Sequence, residues 1–387
     1  MLGCLKGAWQ GLLLAGLMVV FVGCAPLQTP TPWLPTATWT LPPLPMPTPS
    51  TTTTRTRTAS PSPSPRPSLT LTPQTGTPTP PTPTWTLTAS PTETPTLTGT
   101  PLLVVQQLEG GKRWITGMAF DPTGRRLAVS NMDGSLRIWT VDDWQLERTL
   151  QVSAGLNNLA FRYDGALLAA AADDSTLRIW DVQTGEEQPW IGSLPDQPLS
   201  VAFHPDGEQV LMGFADGTLG VWRLSGEQLF NLSDMALGRI WGVSFSPGGN
   251  LLAAAGERAI VFDLRQKKLL WQSDWRASAV AFSPDSLRLY LAGDRLEAWD
   301  LRSGTRLLAY TGHEGWIWAI VLDDVDQRLI SAGQDGTVRL WELRQASLWA
   351  TLADSRAPLN AVAISPDGRW LAAGGDDQTV RVYDLTR

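Results

Sequence analysis

The sequence predicts an all-β fold made of seven copies of a four-stranded unit, within residues 102–387. Apolar and polar residues alternate with period 2 over segments of 4 to 6 residues, which is typical of half-buried strands. Gly, Asp and Pro separate these segments and mark tight turns. The unit recurs at intervals of 41, 42, 42, 37, 40 and 42 residues. A four-stranded repeat of about forty residues is typical of a β-propeller blade.

The copies align on the apolar residue that ends the first strand of each. These anchors are Phe120, Phe161, Phe203, Phe245, Phe282, Leu322 and Ile364. An apolar residue of the second strand follows seven positions later in every copy. The turn between the two strands contains Pro and Gly at residues 121–124 and 365–368, as tight-turn geometry favours. The clearest copy spans residues 312–342.

Aromatic residues end the third strands. They are Trp139, Trp180, Trp222, Trp341 and Tyr383, 19 positions after the anchor, and Phe262 and Trp299, 17 positions after it in the two shorter copies. Six positions before the aromatic, five copies have Asp133, Asp174, Asp216, Asp335 and Asp377. On these residues, the segment 102–387 resembles the WD40 family. The resemblance implies a seven-bladed β-propeller.

One copy contains the residues of a polar network. His313, Ser331, Asp335 and Trp341 match the structural tetrad of WD40 blades, and the resemblance implies that they hydrogen-bond one another inside the blade. The spacing favours this interpretation over a hydrolase triad. At the His position the other copies have Gly111, Val152, Leu194, Ala236, Ser273 and Ser355, so we expect one complete network.

The segment 102–108 is predicted to close the ring. The last copy has three strands before Arg387, and the resemblance implies that an N-terminal strand supplies the fourth. Closure would remove exposed sheet edges. Copies four and five have two residues fewer between the second and third strands and lack the Asp-Gly turn, so their hairpins should be tighter.

The N-terminus reads as an export signal. Residues 1–23 have one cation, Lys6, followed by an apolar run from Leu12 to Val22, which predicts a signal peptide. Residues 21–24 resemble the lipobox of bacterial lipoproteins, which implies lipidation of Cys24. The alternative is an uncleaved N-terminal helical anchor, because residues 7–26 are uncharged and nearly span a bilayer core. Both hypotheses predict the cell envelope, at the outer face of the cytoplasmic membrane, and the third alternative, a freely secreted chain, predicts an extracellular location.

Residues 24–101 are predicted to form a disordered tether. Of the 30 prolines in the chain, 21 precede residue 102, and the segment is otherwise dominated by Thr and Ser. Pro removes backbone donors, and few large apolar residues are present to offset the entropy of ordering. This composition separates the chain into a signal peptide at 1–23, a tether at 24–101 and a propeller at 102–387.

Charge and residue counts exclude several functions. The propeller has 26 Lys and Arg against 36 Asp and Glu, a net charge of -10, and it has no basic stripe, so we expect no nucleic-acid partner. The only cysteines are Cys4 and Cys24, and the two histidines lie on different copies. We therefore expect no disulfide framework, no metal centre and no cofactor.

Large aromatic and cationic residues precede the first strands, where blade loops line one face of the disk. They are Trp114, Arg239, Trp241, Trp275, Arg276, Trp316 and Trp318. Trp and Arg are enriched at binding hot spots, although packing between blades is an alternative role. We predict a monomeric, non-enzymatic scaffold that binds an unidentified protein or peptide on this face. The alternative is a propeller-type enzyme, or a binder of a small ligand or sugar, that uses the central channel.

Overall fold

The structure, a computed structural model, describes residues 102–190, 192–233 and 235–386. The predicted signal peptide, Cys24 and the tether lie outside these ranges. Within them the regular elements are 28 β-strands arranged as seven four-stranded antiparallel sheets. The predicted all-β, seven-bladed propeller is therefore confirmed.

Each blade is a sheet whose strands are numbered from the first, innermost strand outward. Blades 1 to 3 contain β2 (Ile115–Phe120), β3 (Arg126–Asn131), β4 (Ser135–Thr140), β5 (Leu146–Gln151), β6 (Leu156–Phe161), β7 (Leu167–Ala172), β8 (Thr176–Asp181), β9 (Glu187–Gln188), β10 (Pro198–Phe203), β11 (Gln209–Phe214), β12 (Leu219–Arg223) and β13 (Gln228–Leu232). Blades 4 and 5 contain β14 (Gly242–Phe245), β15 (Leu251–Ala255), β16 (Ala259–Asp263), β17 (Lys268–Gln272), β18 (Ala277–Phe282), β19 (Arg288–Gly293), β20 (Leu296–Asp300) and β21 (Thr305–Ala309). Blades 6 and 7 contain β22 (Ile317–Asp323), β23 (Arg328–Gly333), β24 (Val338–Glu342), β25 (Leu348–Leu352), β26 (Leu359–Ile364), β27 (Trp370–Gly375), β28 (Thr379–Asp384) and β1 (Val104–Glu109).

The two faces of the disk follow from the strand directions. The loops before the first strands and between the second and third strands form one face, here termed the upper face. The turns between the first and second strands and between the third and fourth strands form the lower face. Every first strand therefore runs from the upper face to the lower face.

Strand β1 closes the ring as predicted. It pairs antiparallel with β28, from Val104 opposite Tyr383 to Glu109 opposite Thr379. Because β28 runs from the upper to the lower face, Val104 lies at the lower edge of blade 7. The chain therefore enters the propeller at the lower face, on the outside of the ring.

Neighbouring blades pack through their first and second strands, and the shared apolar clusters also include third-strand residues. The predicted second-strand positions are all fully buried, with 0% of their surface exposed: Leu127, Leu168, Val210, Leu252, Leu289, Leu329 and Leu371. Many remaining positions on these strands are alanine, as in β7, whose six residues are all buried. Small side chains let sheets approach closely, and apolar burial on this scale stabilises the ring.

The hairpins of blades 4 and 5 are tight. Between β15 and β16 the amide of Gly256 donates to the carbonyl of Arg258 at 3.1 Å, and between β19 and β20 that of Gly293 donates to Arg295 at 3.0 Å. In the longer blade-6 hairpin, Gly336 adopts a φ of 72° and donates to Gly333 instead. The two shortened copies therefore turn without the Asp-Gly pair.

A ring of hydrogen bonds joins neighbouring blades around the central axis. In each, a side chain near the start of a first strand donates to a carbonyl of the next blade, and these contacts are termed junction bonds. They run from Thr116 to Leu156, from Asn157 to Pro198, from Ser200 to Ile240, from Ser278 to Ile317 and from Asn360 to Ile115, over 2.5 to 3.2 Å. The described residues form no such bond at the other two junctions, where Trp241 and Trp318 occupy the aligned positions.

β-bulges place four of the five donors at the axis, whereas in blade 3 the extra residue is Leu199 rather than Ser200. The register of the first strand shifts by one residue in six blades, for example at Thr116 in β2 and at Asn360 in β26. A bulge re-aims the extra residue and increases the local twist. The first strands consequently present polar side chains to the axis near the upper face.

Candidate interaction surface at the mouth of the channel

The four residues of the predicted tetrad are joined by hydrogen bonds in blade 6. The Nδ1 atom of His313 lies 2.9 Å from Asp335 Oδ2, and its Nε2 atom lies 2.8 Å from Ser331 Oγ. The indole Nε1 of Trp341 donates to the same Ser331 Oγ at 2.9 Å. The His313 side chain is only 3% exposed, so the network belongs to the interior of the blade.

The donors in this network define the state of the imidazole. Trp341 can only donate, so Ser331 accepts from it, and we assign the Ser331 hydrogen to Nε2 of His313 because burial favours the neutral ring. Nδ1–H then donates to the Asp335 carboxylate, which leaves a neutral ring. Burial lowers the pKa of His313, against the opposing hydrogen bond to Asp335. A serine whose hydrogen points at the histidine inside a closed network has no open position for a substrate, which fits a structural role.

In blades 5 and 7, a serine instead of a histidine holds the loop before the first strand. Ser273 and Ser355 stand at the positions aligned with His313. Ser273 Oγ donates to Trp275 O, and Ser355 Oγ donates to Ala357 O, both at 2.8 Å. Both serines hold the loop through its own backbone, and Ser355 Oγ also lies 3.3 Å from the turn carboxylate of Asp377.

A central cavity of about 670 Å³ runs below the upper face. All seven first strands contribute to its lining. Trp114, Trp241 and Trp318 stand at the mouth, and Asn157, Asn360 and Asp376 provide polar groups. Among the described lining residues, Asp376 is the single charged side chain. The cavity therefore combines aromatic walls with hydrogen-bonding groups of low total charge.

Four of the predicted surface residues form one cluster on blades 4 to 6. The ring of Trp316 lies 6.3 Å from that of Trp241 and 5.8 Å from that of Trp318, measured between centroids. The guanidinium of Arg276 lies 5.3 Å from the Trp316 ring and 5.8 Å from the Trp241 ring. Glu257 accepts from Arg276 at 3.0 Å. We term Trp241, Arg276, Trp316 and Trp318 the mouth cluster.

The other three predicted residues are placed differently. Trp114 is 39% exposed, lines the cavity from blade 1 and carries the guanidinium of Arg113 at 4.4 Å from its ring. Arg239 is exposed on the loop before β14. Trp275 does not belong to the surface, because it is 8% exposed and packs between blades 4 and 5 against Ala253 and Leu291. The Ser273 bond to its carbonyl turns the loop so that this indole points inward.

Asp376 was missed by sequence reasoning as a channel residue, and Asn360 was noted only as a polar residue of a first strand. Asn360 uses both amide hydrogens, donating to Ile115 O at 3.2 Å and to Asp376 Oδ1 at 2.8 Å. The signal that could have found Asp376 is its place in the loop between the second and third strands, which the repeat alignment assigns to the upper face.

The described residues offer no set of groups for metal chemistry. No three of their His, Cys, Asp and Glu side chains are grouped closely enough to hold a metal ion. His204 is half-buried and bridges two blades, since its Nε2 atom lies 3.0 Å from Gly249 O and its ring lies 4.8 Å from that of Phe245. It therefore packs rather than standing free in a solvated turn. No helix within the described ranges is long and apolar enough to cross a membrane.

Known proteins resemble this chain along most of the propeller. Protein hir1 of Schizosaccharomyces pombe is 23% identical over 218 residues, covering 51% of this chain and 22% of that protein. Pre-mRNA-splicing factor PRP46 of Candida albicans is 33% identical over 76 residues, covering 19% and 20%. Small ribosomal subunit protein RACK1y of Oryza sativa subsp. japonica is 35% identical over 77 residues, covering 19% and 23%. The matched stretches thus span about a fifth of the length of these relatives.

Two family models match the chain in succession. Residues 98–342, more than half of the chain, match the family described as the IFT122 first beta-propeller. Residues 347–384 match the WD domain, G-beta repeat. The chain therefore belongs to the WD40-repeat β-propellers, in the family described as the IFT122 first beta-propeller.

Proposed function

We propose that this propeller is a non-enzymatic scaffold that binds a protein or peptide through the mouth of its channel. The observation that carries the proposal is the mouth cluster, where three indoles and a guanidinium meet at the edge of a cavity. Trp and Arg contribute most per residue to protein interfaces, because each joins a large contact area to a polar group.

The two tryptophans at the cavity support a role in recognition. Trp241 and Trp318 stand where other blades place the donor of a junction bond. A hydrogen bond typically contributes about 1 kcal/mol to stability, so a junction without its bond loses about that amount. Trp318 is 37% exposed, so burial of its indole offsets little of this loss. Residues that replace a stabilising contact with exposed aromatic surface are typical of binding sites.

The matched relatives are consistent with a binding function. Their names describe a pre-mRNA-splicing factor and a small ribosomal subunit protein, that is, members of larger assemblies. For the present chain we infer only the general function, binding of another protein, and not these assemblies.

We further propose that the propeller is displayed outside the cytoplasmic membrane by the lipid on Cys24, or by an uncleaved N-terminal helix, through the tether of residues 24–101. The signal-like N-terminus and the Pro/Thr composition support this. The position of Val104 adds to it, because the chain joins the ring at the lower face. The mouth cluster lies on the opposite, upper face.

The test compares partner recovery by the wild-type chain and by Trp316→Ala/Trp318→Ala. Partners are captured from cell-envelope extract, identified by mass spectrometry, produced in pure form and titrated by calorimetry. Loss of two hot-spot indoles should weaken binding of the true partner roughly 30-fold or more.

Tyr163→Ala is the matched control. Tyr163 is 60% exposed in the turn between β6 and β7, on the lower face, so its removal should leave the affinity unchanged. Equal affinity of the double variant and the wild type for every purified partner would reject the mouth cluster as the binding surface.

A further inference from the structure

We infer that the channel beneath the mouth takes a cationic side chain, lysine or arginine, of the bound peptide, held between Trp114 and Trp318 against Asp376. This inference rests on the proposed function and names the chemistry that its site selects. The three residues belong to adjacent blades, since blade 7, which carries Asp376, lies between blade 6 and blade 1.

The two polar side chains that blade 7 contributes to the cavity wall, Asn360 and Asp376, have only acceptor atoms left without a described partner. Both amide hydrogens of Asn360 are used in bonds to Ile115 O and Asp376 Oδ1. Within the described residues, Asn360 Oδ1 and Asp376 Oδ2 accept no hydrogen bond. Nor does any described side chain donate to the carbonyl of Leu359, the position that accepts a junction bond in five other blades. A ligand that enters here must bring donors.

Charge and aromatic surface favour a cation among possible donors. Among the described residues, the Asp376 carboxylate is the only charged group that lines the cavity. Trp114 and Trp318, which are 39% and 37% exposed, line the same cavity from the two neighbouring blades. Indole faces attract ammonium and guanidinium groups through the ring quadrupole, and charge-assisted bonds to a carboxylate are roughly twice as strong as neutral ones. A propeller with a net charge of -10 also attracts cationic peptides from a distance.

The same mouth already holds guanidinium groups against indoles. Arg276 lies over Trp241 and Trp316, and Arg113 lies over Trp114 at 4.4 Å. Neither arginine lines the cavity. The interior position beside Asp376 is therefore open to a cation from outside.

The experiment measures binding of acetylated, amidated hexapeptide mixtures to the full-length chain by calorimetry. All positions are randomised except one central residue, which is arginine, lysine, citrulline, acetyl-lysine or glutamate. Citrulline and acetyl-lysine preserve the shape of the cationic side chains without the charge. We expect the arginine or lysine mixture to bind at least tenfold more tightly than its neutral counterpart.

Two variants test the residues. Asp376→Asn keeps the size of the side chain and should remove about tenfold of the cation preference. Asp173→Asn is the matched control, because Asp173 occupies the aligned loop position in blade 2, where it accepts from Gln197 and does not line the cavity. Trp318→Asn introduces the residue type that forms a junction bond in blades 2 and 7. It should abolish peptide binding while the melting temperature stays within about 2 °C of the wild type.

The outcomes separate this inference from the proposed function. Peptide binding that is lost in Trp316→Ala/Trp318→Ala, but shows no preference for charge, would overturn the cation site and leave the interaction surface standing. Failure of the arginine and lysine mixtures to bind at all would overturn the cation site. The cation site would also be overturned if N-acetylglucosamine oligomers competed with the peptides equally well in the wild type and in Asp376→Asn. Such competition would assign the channel to a neutral glycan.

Discussion

His313 shows how a single residue can specify one blade among seven. It connects the turn carboxylate of Asp335 to the hydroxyl of Ser331, and Ser331 in turn satisfies the indole of Trp341. Without His313, the Asp335 carboxylate and the Ser331 hydroxyl would each lose a partner in a nearly buried position. Unsatisfied buried polar groups cost about 1 to 3 kcal/mol each, so the network holds the upper end of blade 6 in one arrangement.

The network makes stability depend on pH. Burial lowers the pKa of His313 below its ordinary value of 6.5, so the unfolded chain binds a proton more readily than the folded chain. The stabilising effect is complete above the unfolded pKa and is lost as the pH falls toward the folded one. We expect the free energy of unfolding to decrease more steeply in the wild type than in His313→Gln between about pH 7 and pH 5.

Urea denaturation at a series of pH values measures this difference. His313→Gln should also lower the free energy of unfolding by about 1 to 3 kcal/mol at neutral pH. Parallel slopes for the wild type and His313→Gln would contradict the assignment of a neutral, buried imidazole.

The tetrad and the mouth cluster differ in how far the sequence predicts them. Fixed distances from the anchors place His313, Ser331 and Trp341 on known strands, so their meeting follows from the repeat. Loop residues have no such constraint. Trp275 and Trp316 stand at comparable positions before a first strand, yet the bond from Ser273 to the Trp275 carbonyl turns the first inward, whereas Trp316 joins the surface.

At the scale of single strands, the sequence does not reveal where the β-bulges lie. The bulges in β2 and β26 are invisible in the alternation of apolar and polar residues, because each adds one residue without changing the period of the blade. They nevertheless decide that Asn360 points to the axis and donates to the next blade. Strand positions and turns could be read from the repeat, but the junction bonds and the acceptor groups at the channel could not.

Strand β1 is the element on which closure depends. Leu108 is 4% exposed and packs with Val380 and Val382. Without β1, the outer edge of β28 would have no strand to pair with. Deletion of residues 102–109 should therefore abolish the cooperative melting transition, or lower its midpoint by more than about 10 °C, and cause aggregation.

Light scattering and calorimetry check this outcome. Deletion of residues 60–67, an equal length within the predicted tether, is the control and should leave the transition unchanged. A monomeric deletion variant with a wild-type melting temperature would show that the ring does not need its N-terminal strand.

At the scale of the whole molecule, we propose that the predicted tether and the propeller have separable roles. If Cys24 carries the lipid, Cys24→Ser should move the protein from the membrane fraction to the soluble fraction, whereas the melting temperature of the propeller stays the same. Cell fractionation with metabolic labelling by a clickable palmitate analogue measures both location and modification. Cys4→Ser is the matched control, because a cleaved signal peptide would remove that thiol.

Retention of Cys24→Ser in the membrane, without label in the wild type, would favour the uncleaved anchor. Separate roles for the N-terminus and the propeller predict that variants of the mouth cluster change binding but not location. Variants of the N-terminus should change location but not binding.

The entry of the chain through β1 also decides how the molecule responds to mechanical force. A pull on the chain before Leu102, opposed by a partner held at the upper face, acts along the axis of β1, because Val104 lies at the lower edge and Glu109 at the upper one. The hydrogen bonds of an antiparallel pair lie perpendicular to the strands. The hydrogen bonds between β1 and β28 would therefore be loaded together in shear rather than broken one after another. The strand that closes the ring would thus also resist the pulling of the chain out of the propeller.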